Sequence, residues 1–314
     1  MLPTIDLLNL SNDGQDISSA AKSLDQALHQ SGFAYIKNHG IDQQIVASAF
    51  DSSQKFHQLE LSEKNRIAIN SAHRGYMGLA SSTIVTSSVE TATRPNQSES
   101  LLILNEVEPE HFGGTPLSGP NQWPDSPADF KKNIQKFESA TKGLCEYLTG
   151  ILEVALHCPS GQLQQHFTHA TTFLRLLHYP PQPVSSDTHS FGSAPHTDYG
   201  FITIVNQDNT GGLQVQNEKG EWMDVSPKKD HLVVNVGDMG EIWSNGRWQS
   251  TRHRVRNTVQ KHRYSIVYFY DPNFETQVEP ITESSTGKNK QSENYGEYLM
   301  HRLDANYDYR SGED

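Results

Sequence analysis

Residues 194–200 read Ala-Pro-His-Thr-Asp-Tyr-Gly, which places His196 two positions before Asp198. Side chains at positions i and i+2 of a strand point to the same side, so both groups can face one metal ion. A second histidine, His253, follows after enough chain for several strands. Two imidazoles and one carboxylate form a ligand set that suits Fe(II) and leaves coordination positions open. The pattern predicts an iron site that can also bind substrate or O2.

A second group of residues follows the distant histidine. Arg263 comes a few positions after His253, and Ser265 lies two positions further, on the same face if this segment is a strand. A guanidinium with a hydroxyl beside it fits a carboxylate, through paired hydrogen bonds on one side and a single bond on the other. The spacing therefore predicts an anion clamp close to the metal.

In this combination the chain resembles the Fe(II)- and 2-oxoglutarate-dependent dioxygenases, specifically the branch with isopenicillin N synthase and the plant flavonoid, gibberellin and ethylene-forming oxygenases. The likeness extends over nearly the whole chain. Its further landmarks are LPTIDL (2–7), GFAYIKNHGI (32–41), RGY (74–76), GPNQWP (119–124), HYPP (178–181), GGLQV (211–215), NVGD (235–238) and SNGR (244–247). A lone His-x-Asp pair is weak evidence, whereas this ordered set is specific.

The resemblance implies a mainly β fold with packed helices, a double-stranded β-helix or jelly roll of the isopenicillin N synthase type. We expect a single oxygenase unit over residues 1–314. Its parts would be an N-terminal α/β region (1–125), a bracing helix (126–160), the catalytic core (170–280) and a helical C-terminal tail (281–314). Short strand-like runs separated by turns from residue 173 onward agree with a jelly roll.

The resemblance also implies roles for individual residues. His196, Asp198 and His253 would be the catalytic ligands of Fe(II), while Arg263, Ser265 and Tyr179 would bind 2-oxoglutarate. The reaction would be oxidation of a small-molecule metabolite by O2, through hydroxylation, desaturation or ring closure, with release of succinate and CO2. Ascorbate is a candidate reductant. Where the family often carries asparagine two positions before the tyrosine, this chain has Leu177, so one polar contact to the cosubstrate is absent or replaced.

Two other functions remain open on the sequence alone. Relatives of the isopenicillin N synthase type keep the Arg-x-Ser pair without using 2-oxoglutarate, so an Fe(II) oxidase is one alternative. A non-catalytic jelly-roll binding or sensor protein is the other, although such a protein would not require both the metal ligands and the anion clamp.

The substrate pocket is expected to mix aromatic and charged side chains, which would suit a small amphiphilic metabolite. The Ser- and Thr-rich region 71–108 would either cover the mouth of the site or form an ordinary solvated loop. The candidate substrate-binding residues are Arg74, Arg94, Phe191, Tyr199, Phe269 and Phe274.

The composition is that of an ordinary globular protein, with 34% hydrophobic and 20% charged residues in 314. The formal net charge of −12 disfavours a nucleic-acid binder, which would show clustered excess lysine and arginine. Two cysteines, Cys145 and Cys158, indicate reduced thiols and no disulfide framework. With no leader-like or membrane-spanning segment, we expect a cytoplasmic monomer that acts on a small molecule and binds neither nucleic acid nor membrane.

Helices are predicted at four places. Apolar spacing indicates helices over 17–28 and 46–56 and near the C-terminus at 294–304. The segment Ser-Pro-Ala-Asp (126–129) has a capping serine, a proline in the first turn and an acid three residues after the cap. It therefore predicts that the long helix begins at Ser126.

Overall fold

The computed structural model describes residues 2–8, 14–82, 94–106, 114–182, 190–257, 260–283 and 289–307. Within these ranges we found no helix with the length and apolarity needed to cross a bilayer. The helices are α1 (Gly14–Ser31), α2 (Gln43–His57), α3 (Leu61–Asn65), α4 (Phe130–Ala155), α5 (Asp238–Trp243) and α6 (Tyr295–Asn306).

The strands concentrate in the second half of the chain. They are β1 (Thr4–Asp6), β2 (Phe33–Lys37), β3 (Gly75–Met77), β4 (Glu99–Leu104), β5 (Thr171–Tyr179), β6 (Ser193–His196), β7 (Ile202–Gln207), β8 (Leu213–Gln216), β9 (Trp222–Asp224), β10 (His231–Val236), β11 (His253–Val255), β12 (Arg263–Asp271), β13 (Gln277–Val278) and β14 (Glu293–Asn294).

Two sheets face each other. The main sheet has the strand order β1-β2-β10-β7-β12-β5-β4-β3, and the smaller sheet has the order β6-β11-β8-β9. Strands β13 and β14 form a separate pair. The alternation of side chains along each strand gives the main sheet two apolar faces. One faces the helices and the other faces the smaller sheet, which is the predicted jelly roll.

Strand β12 shows how the sequence produces both faces. Ile266 and Tyr268 join the large apolar core beneath α1, α2 and α4, whereas Val267 joins the core between the sheets. Arg263 and Ser265 share the face of Val267, so the predicted anion clamp lies between the sheets.

Helix α4 braces the main sheet and contacts α1 and α2. Its apolar stripe, including Phe130, Ile134 and Phe137, is buried. The predicted start at Ser126 was wrong. The preceding residues form a turn that the Phe130 N–H closes on the Pro127 carbonyl, and the cap position is occupied by Asp129 without a side-chain capping bond.

Candidate active site

The structure brings the three predicted metal ligands together. His196 ends β6 and His253 begins β11, and the two residues are direct partners in the antiparallel ladder. Their ring centroids lie 4.3 Å apart. Asp198 follows β6 by two residues, and one ligand atom from each of the three residues lies within 4.8 Å of the others. The ladder shifts register between His253 and Val255, so an irregularity lies directly beside the site.

Hydrogen bonds orient both histidine rings. The carbonyl oxygen of Ala194 lies 2.7 Å from His196 Nδ1, and that of Thr251 lies 3.2 Å from His253 Nδ1. A carbonyl only accepts, so each Nδ1 carries the proton and each neutral ring has its lone pair on Nε2. These Nε2 atoms lie 3.8 Å and 3.6 Å from Asp198 Oδ1. Three donor atoms therefore converge on one point.

Asp198 is held through its other oxygen. Thr203 Oγ1 and Asn235 Nδ2 each donate to Asp198 Oδ2 at 2.6 Å. Burial alone would raise the pKa of Asp198, but the two histidines and these two donors outweigh it and lower the pKa. Burial lowers the pKa of His196. A carboxylate beside two neutral imidazoles is the donor set that suits divalent iron, so these residues fit the metal.

A buried arginine lies at one end of this site. Arg263 is 1% exposed, and its guanidinium donates to Ser265 Oγ at 3.2 Å and to Gln207 Oε1 at 3.3 Å. The guanidinium carbon of Arg263 lies 4.6 Å from the centre of the Tyr179 ring, and its Nε has no hydrogen-bond partner among the described residues. Among the described residues no carboxylate forms an ion pair with Arg263. A buried cation without an acid is costly, so this pocket fits the distal carboxylate of 2-oxoglutarate.

Gln207 was not identified from the sequence. Leu177, which replaces the family's asparagine, pairs with Ser265 in the ladder and packs in the core between the sheets. On the other side of β12, Ser265 pairs with Gln207. Gln207 thus brings a polar side chain to Arg263 from the neighbouring strand opposite Leu177, and only the strand order reveals it.

A cavity of about 90 Å³ opens beside His196 and Asp198. Of the predicted substrate-binding residues, Tyr199 and Phe269 line it. Residues 83–93 and 107–108 of the expected covering region lie outside the described residues, so the structure does not address their part of that prediction.

The other four predicted substrate residues do not line this cavity. The Arg74 guanidinium is consumed by the carbonyls of Asn105 and Leu117 and by the Asn121 side chain, so its placement in the substrate pocket was wrong. Phe274 packs on Gly296 at the start of α6, where an added Cβ would lie 2.6 Å from its ring.

Phe191 and Arg94 are also absent from the described lining of this cavity. The Phe191 ring lies against the guanidinium groups of Arg254 and Arg256, and Arg94 is exposed. In each case residue type alone could not show which way the side chain points.

Other residues line the cavity instead. Arg175 and Phe173 come from β5, His73 from the turn before β3, and Leu299 and Leu303 from α6. Arg175 could have been found, because it alternates with Leu177 and Tyr179 on one strand face. No pattern in the sequence indicates that α6 lines the cavity, because this depends on how the C-terminal part of the chain packs against the sheets.

Known proteins share this fold and site. Residues 170–272 match the 2OG-Fe(II) oxygenase superfamily, and residues 2–126 match the N-terminal family of non-haem dioxygenases described from morphine synthesis. Homoarginine-6-hydroxylase 2-ODD-C23 of Glycine max is 33% identical over 305 residues, or 93% of this chain and 90% of the relative. The 2-oxoglutarate-dependent dioxygenase citB of Monascus ruber is 31% identical, covering 98% of this chain and 96% of the relative.

A solved structure agrees with these relatives. The crystal structure of a full-length Neurospora crassa protein in complex with alpha-KG and thymine superposes with a TM-score of 0.84 at 30% identity, covering 97% of this chain and 96% of that chain. The chain belongs to the 2-oxoglutarate- and Fe(II)-dependent dioxygenases. Its metal is Fe(II), its cosubstrates are 2-oxoglutarate and O2, and its reaction class is oxidation of a small molecule.

Proposed function

We propose that His196, Asp198 and His253 hold the iron, that Arg263 anchors 2-oxoglutarate, and that the enzyme hydroxylates a small-molecule metabolite. The observation that carries this assignment is the buried guanidinium of Arg263, which forms no ion pair with an acid in the part of the chain that the structure describes. A carboxylate there would receive the guanidinium hydrogen bonds and the hydroxyl of Ser265, with the Tyr179 ring stacked on the cation.

Separate hydrogen bonds position each of the three proposed metal ligands. The carbonyls of Ala194 and Thr251 keep each Nε2 lone pair directed at the metal position. Thr203 and Asn235 keep Asp198 Oδ2 occupied, which leaves Oδ1 as the ligand atom. When bound, Fe(II) and 2-oxoglutarate supply oxidation by O2 with release of succinate and CO2. The cavity beside His196 and Asp198 would hold the substrate, with Phe173 and Phe269 among the side chains that line it.

Hydroxylation is the outcome that we favour over desaturation or ring closure. Support comes from the relatives, because the Glycine max protein is named as a hydroxylase at 33% identity over nearly the full chain. The Fe(II) oxidase alternative is disfavoured by the relatives, because citB of Monascus ruber, 31% identical over 98% of this chain, is named a 2-oxoglutarate-dependent dioxygenase.

We also infer that the enzyme acts as a cytoplasmic monomer, with ascorbate as a reductant. The free thiols of Cys145 and Cys158 support a reducing compartment. Sedimentation of the purified chain would test the monomer: a mass of about twice 35.2 kDa would contradict it. Cell fractionation and a comparison of turnover with and without ascorbate would test the other two inferences.

The decisive experiment is anaerobic reconstitution with Fe(II) followed by 2-oxoglutarate. A weak visible band of an iron-bound 2-oxo acid is expected in the native protein. It should be lost in Asp198→Ala, and in Arg263→Ala it should require far more 2-oxoglutarate, since a buried charge-assisted pair contributes about 2–5 kcal/mol. Arg66→Ala, which removes an exposed arginine, is the matched control. An unchanged 2-oxoglutarate requirement in Arg263→Ala would contradict the anchor role.

A further inference from the structure

The strand pair β5 and β12 carries two arginines on the face between the sheets. Arg263 pairs with Tyr179, and Arg175 pairs with Val267 four residues along the same ladder. At about 3.3 Å per residue, these positions are roughly 13 Å apart along the strands. Arg263 occupies the proposed cosubstrate end, whereas Arg175 lines the cavity together with His196 and Asp198. The molecule therefore has a second cationic position, on the substrate side of the metal ligands.

Arg175 has no acidic partner among the described residues. Its Nε donates to Ser100 Oγ at 3.1 Å, and one terminal nitrogen lies 3.9 Å from Met77 Sδ. These contacts fix the guanidinium against β4 and β3, and neither of them supplies a negative charge.

The two acids in the cavity wall are engaged elsewhere. Asp198 faces the metal position and is held by Thr203 and Asn235. Asp271 accepts the Phe201 N–H at 2.9 Å and the Tyr295 hydroxyl at 2.8 Å. Neither carboxylate therefore pairs with Arg175, and a guanidinium with no acidic partner in the described cavity wall favours binding of an anion.

The rest of the cavity wall carries both apolar and polar side chains. Phe173 and Phe269 meet edge to face with ring centroids 6.4 Å apart. Leu102, Leu299 and Leu303 add apolar surface, whereas Ser82, Asn96 and Asn306 are among the polar residues of the wall. The volume of about 90 Å³ is small beside typical ligand pockets of about 300–1,000 Å³. The part of the substrate that enters must therefore be compact.

Building on the oxygenase function proposed above, we propose that Arg175 binds the carboxylate of a small monocarboxylic acid whose apolar or aromatic part lies against Phe269 beside the metal. The negative charge of such an acid compensates a cation that the described cavity wall leaves without an acid. A substrate that brought its own guanidinium into this cavity would instead meet the like charge of Arg175. The arginine thus selects for anions and against cations.

Matched acids and amides test the proposal directly. The probes are phenylacetate, 4-methylbenzoate and indole-3-acetate, each compared with its primary amide, together with neutral thymine and cationic homoarginine. Succinate release and the change in the anaerobic visible band on adding each probe are the readouts. At least one acid should act, with an apparent KM about tenfold or more below that of its amide, because a charge-assisted bond is about twice as strong as a neutral one.

Two variants of Arg175 test whether its charge or the shape of its guanidinium determines the preference for acids. Arg175→Gln should raise the KM of the active acid by about 10- to 100-fold and abolish the preference for acid over amide. Arg175→Lys should keep part of that preference. Arg66→Gln, at an exposed arginine, should leave the preference unchanged.

Three results would overturn the proposal: amides that match their acids, thymine or homoarginine as the best probe, or a panel in which no acid acts. A rise in the 2-oxoglutarate requirement of Arg175→Gln, with acid preference intact, would instead place this residue at the cosubstrate. If the underlying oxygenase assignment is wrong, the result is different. In that case the native protein, reconstituted anaerobically with Fe(II), forms no visible band when 2-oxoglutarate is added.

Discussion

Each oxygen of Asp198 has a separate task. Oδ1 faces the two histidine Nε2 atoms, while Oδ2 accepts hydrogen bonds from Thr203 and Asn235. Thr203 and Asn235 are themselves partners in the ladder of β7 and β10. The main sheet therefore holds the proposed metal ligand, which belongs to the loop after β6, and it occupies one of the two carboxylate oxygens.

Removing one of these donors should weaken metal binding without removing a ligand. Thr203→Val keeps the side-chain shape and deletes the hydroxyl, so we expect Fe(II) affinity to fall by about 10- to 100-fold, as for other partners of metal ligands. The Fe(II) affinity of each variant is measured by anaerobic titration with Fe(II) at saturating 2-oxoglutarate. Thr141→Val is the control, because that buried hydroxyl bonds only the Phe137 carbonyl within α4. Equal affinities in both variants would show that Thr203 does not support the metal.

At this scale the sequence predicts contacts within one strand better than contacts between strands. His196 with Asp198, and Arg263 with Ser265, follow from the i, i+2 spacing alone. Gln207 and Asn235 do not, because their proximity to Arg263 and Asp198 depends on strand order and ladder register. Arg74 was misassigned for a related reason: its charge is satisfied by carbonyls from distant chain segments.

Helix α6 closes one side of the substrate cavity. Leu299 and Leu303 point into the cavity, and Asn306 donates to the Tyr199 hydroxyl at 2.7 Å. Arg302 lies over the Tyr199 ring and donates to Tyr298. Asp238, at the start of α5, accepts from Tyr298 and from Thr197, the residue between His196 and Asp198. The helix is thereby connected to the loop that carries the metal ligand.

Breaking this connection should loosen α6 while leaving the metal in place. Arg302→Ala removes the cation over Tyr199 and the contact with Asp238, so backbone amides of Tyr295–Asn306 should exchange with solvent about tenfold faster or more. Hydrogen-exchange mass spectrometry measures this. His301→Ala, at the exposed neighbouring residue, should exchange as the native protein does. The Fe(II) affinity of Arg302→Ala should be unchanged, and exchange rates equal to the native ones would show that Arg302 does not anchor the helix.

Element predictions succeeded where the periodicity was long. The helices predicted over 17–28, 46–56 and 294–304 are α1, α2 and α6, and the longer strand-like runs became β5, β7, β10 and β12. Short strands such as β3 and β9, with three residues each, have too few positions to show alternation. The start of α4 was misjudged because the Ser-Pro-Ala-Asp segment closes a turn before the helix instead of beginning it.

Across the whole molecule, strand β12 and its partner β5 determine the order in which the candidate site residues follow one another along the main sheet. Tyr179 and Arg263 lie at one end of the ladder, Arg175 and Val267 in the middle, and Phe173 and Phe269 towards the other end. One ladder thus fixes the separation between Arg263 as the proposed cosubstrate anchor, Arg175 as the proposed carboxylate-binding residue, and the aromatic pair. Because both strands are central in the main sheet, this spacing is protected by the two cores on either side.

Beneath that ladder, on the helical face, lies a buried polar cluster that makes stability depend on pH. His57 is buried on α2, its Nδ1 bonds the Ser53 carbonyl and its Nε2 has no partner. Around it are Glu99, His178 and Lys64. Burial lowers the pKa of His57 from 6.5 to about 3, although Glu99 opposes this. The folded protein therefore keeps this ring neutral under conditions in which the unfolded chain protonates it.

The direction of the pH dependence of stability follows from the number of protons that His57 binds in each state. Between pH 6.5 and about 3 the unfolded chain binds more protons at His57 than the folded protein does, so stability falls as the pH falls through this window. Between pH 7 and pH 5 this residue should account for a loss of about 2 kcal/mol in the free energy of unfolding. Glu99, whose pKa is lowered from 4.5 to about 2 because hydrogen bonds from His178, Lys64 and Tyr76 outweigh its burial, adds its loss only at lower pH.

Urea unfolding of native protein and His57→Gln at pH 7 and pH 5 tests this assignment. His57→Gln should start from lower stability at pH 7, because glutamine fits the buried ring position poorly, yet lose about 2 kcal/mol less than the native protein on going to pH 5. His169→Gln, at an exposed histidine, should follow the native pH dependence. A native-like loss in His57→Gln would show that other groups carry the acid sensitivity. A smaller loss of stability in His57→Gln would show that the acid sensitivity comes from the neutral His57 ring, which is buried on the helical side of the main sheet.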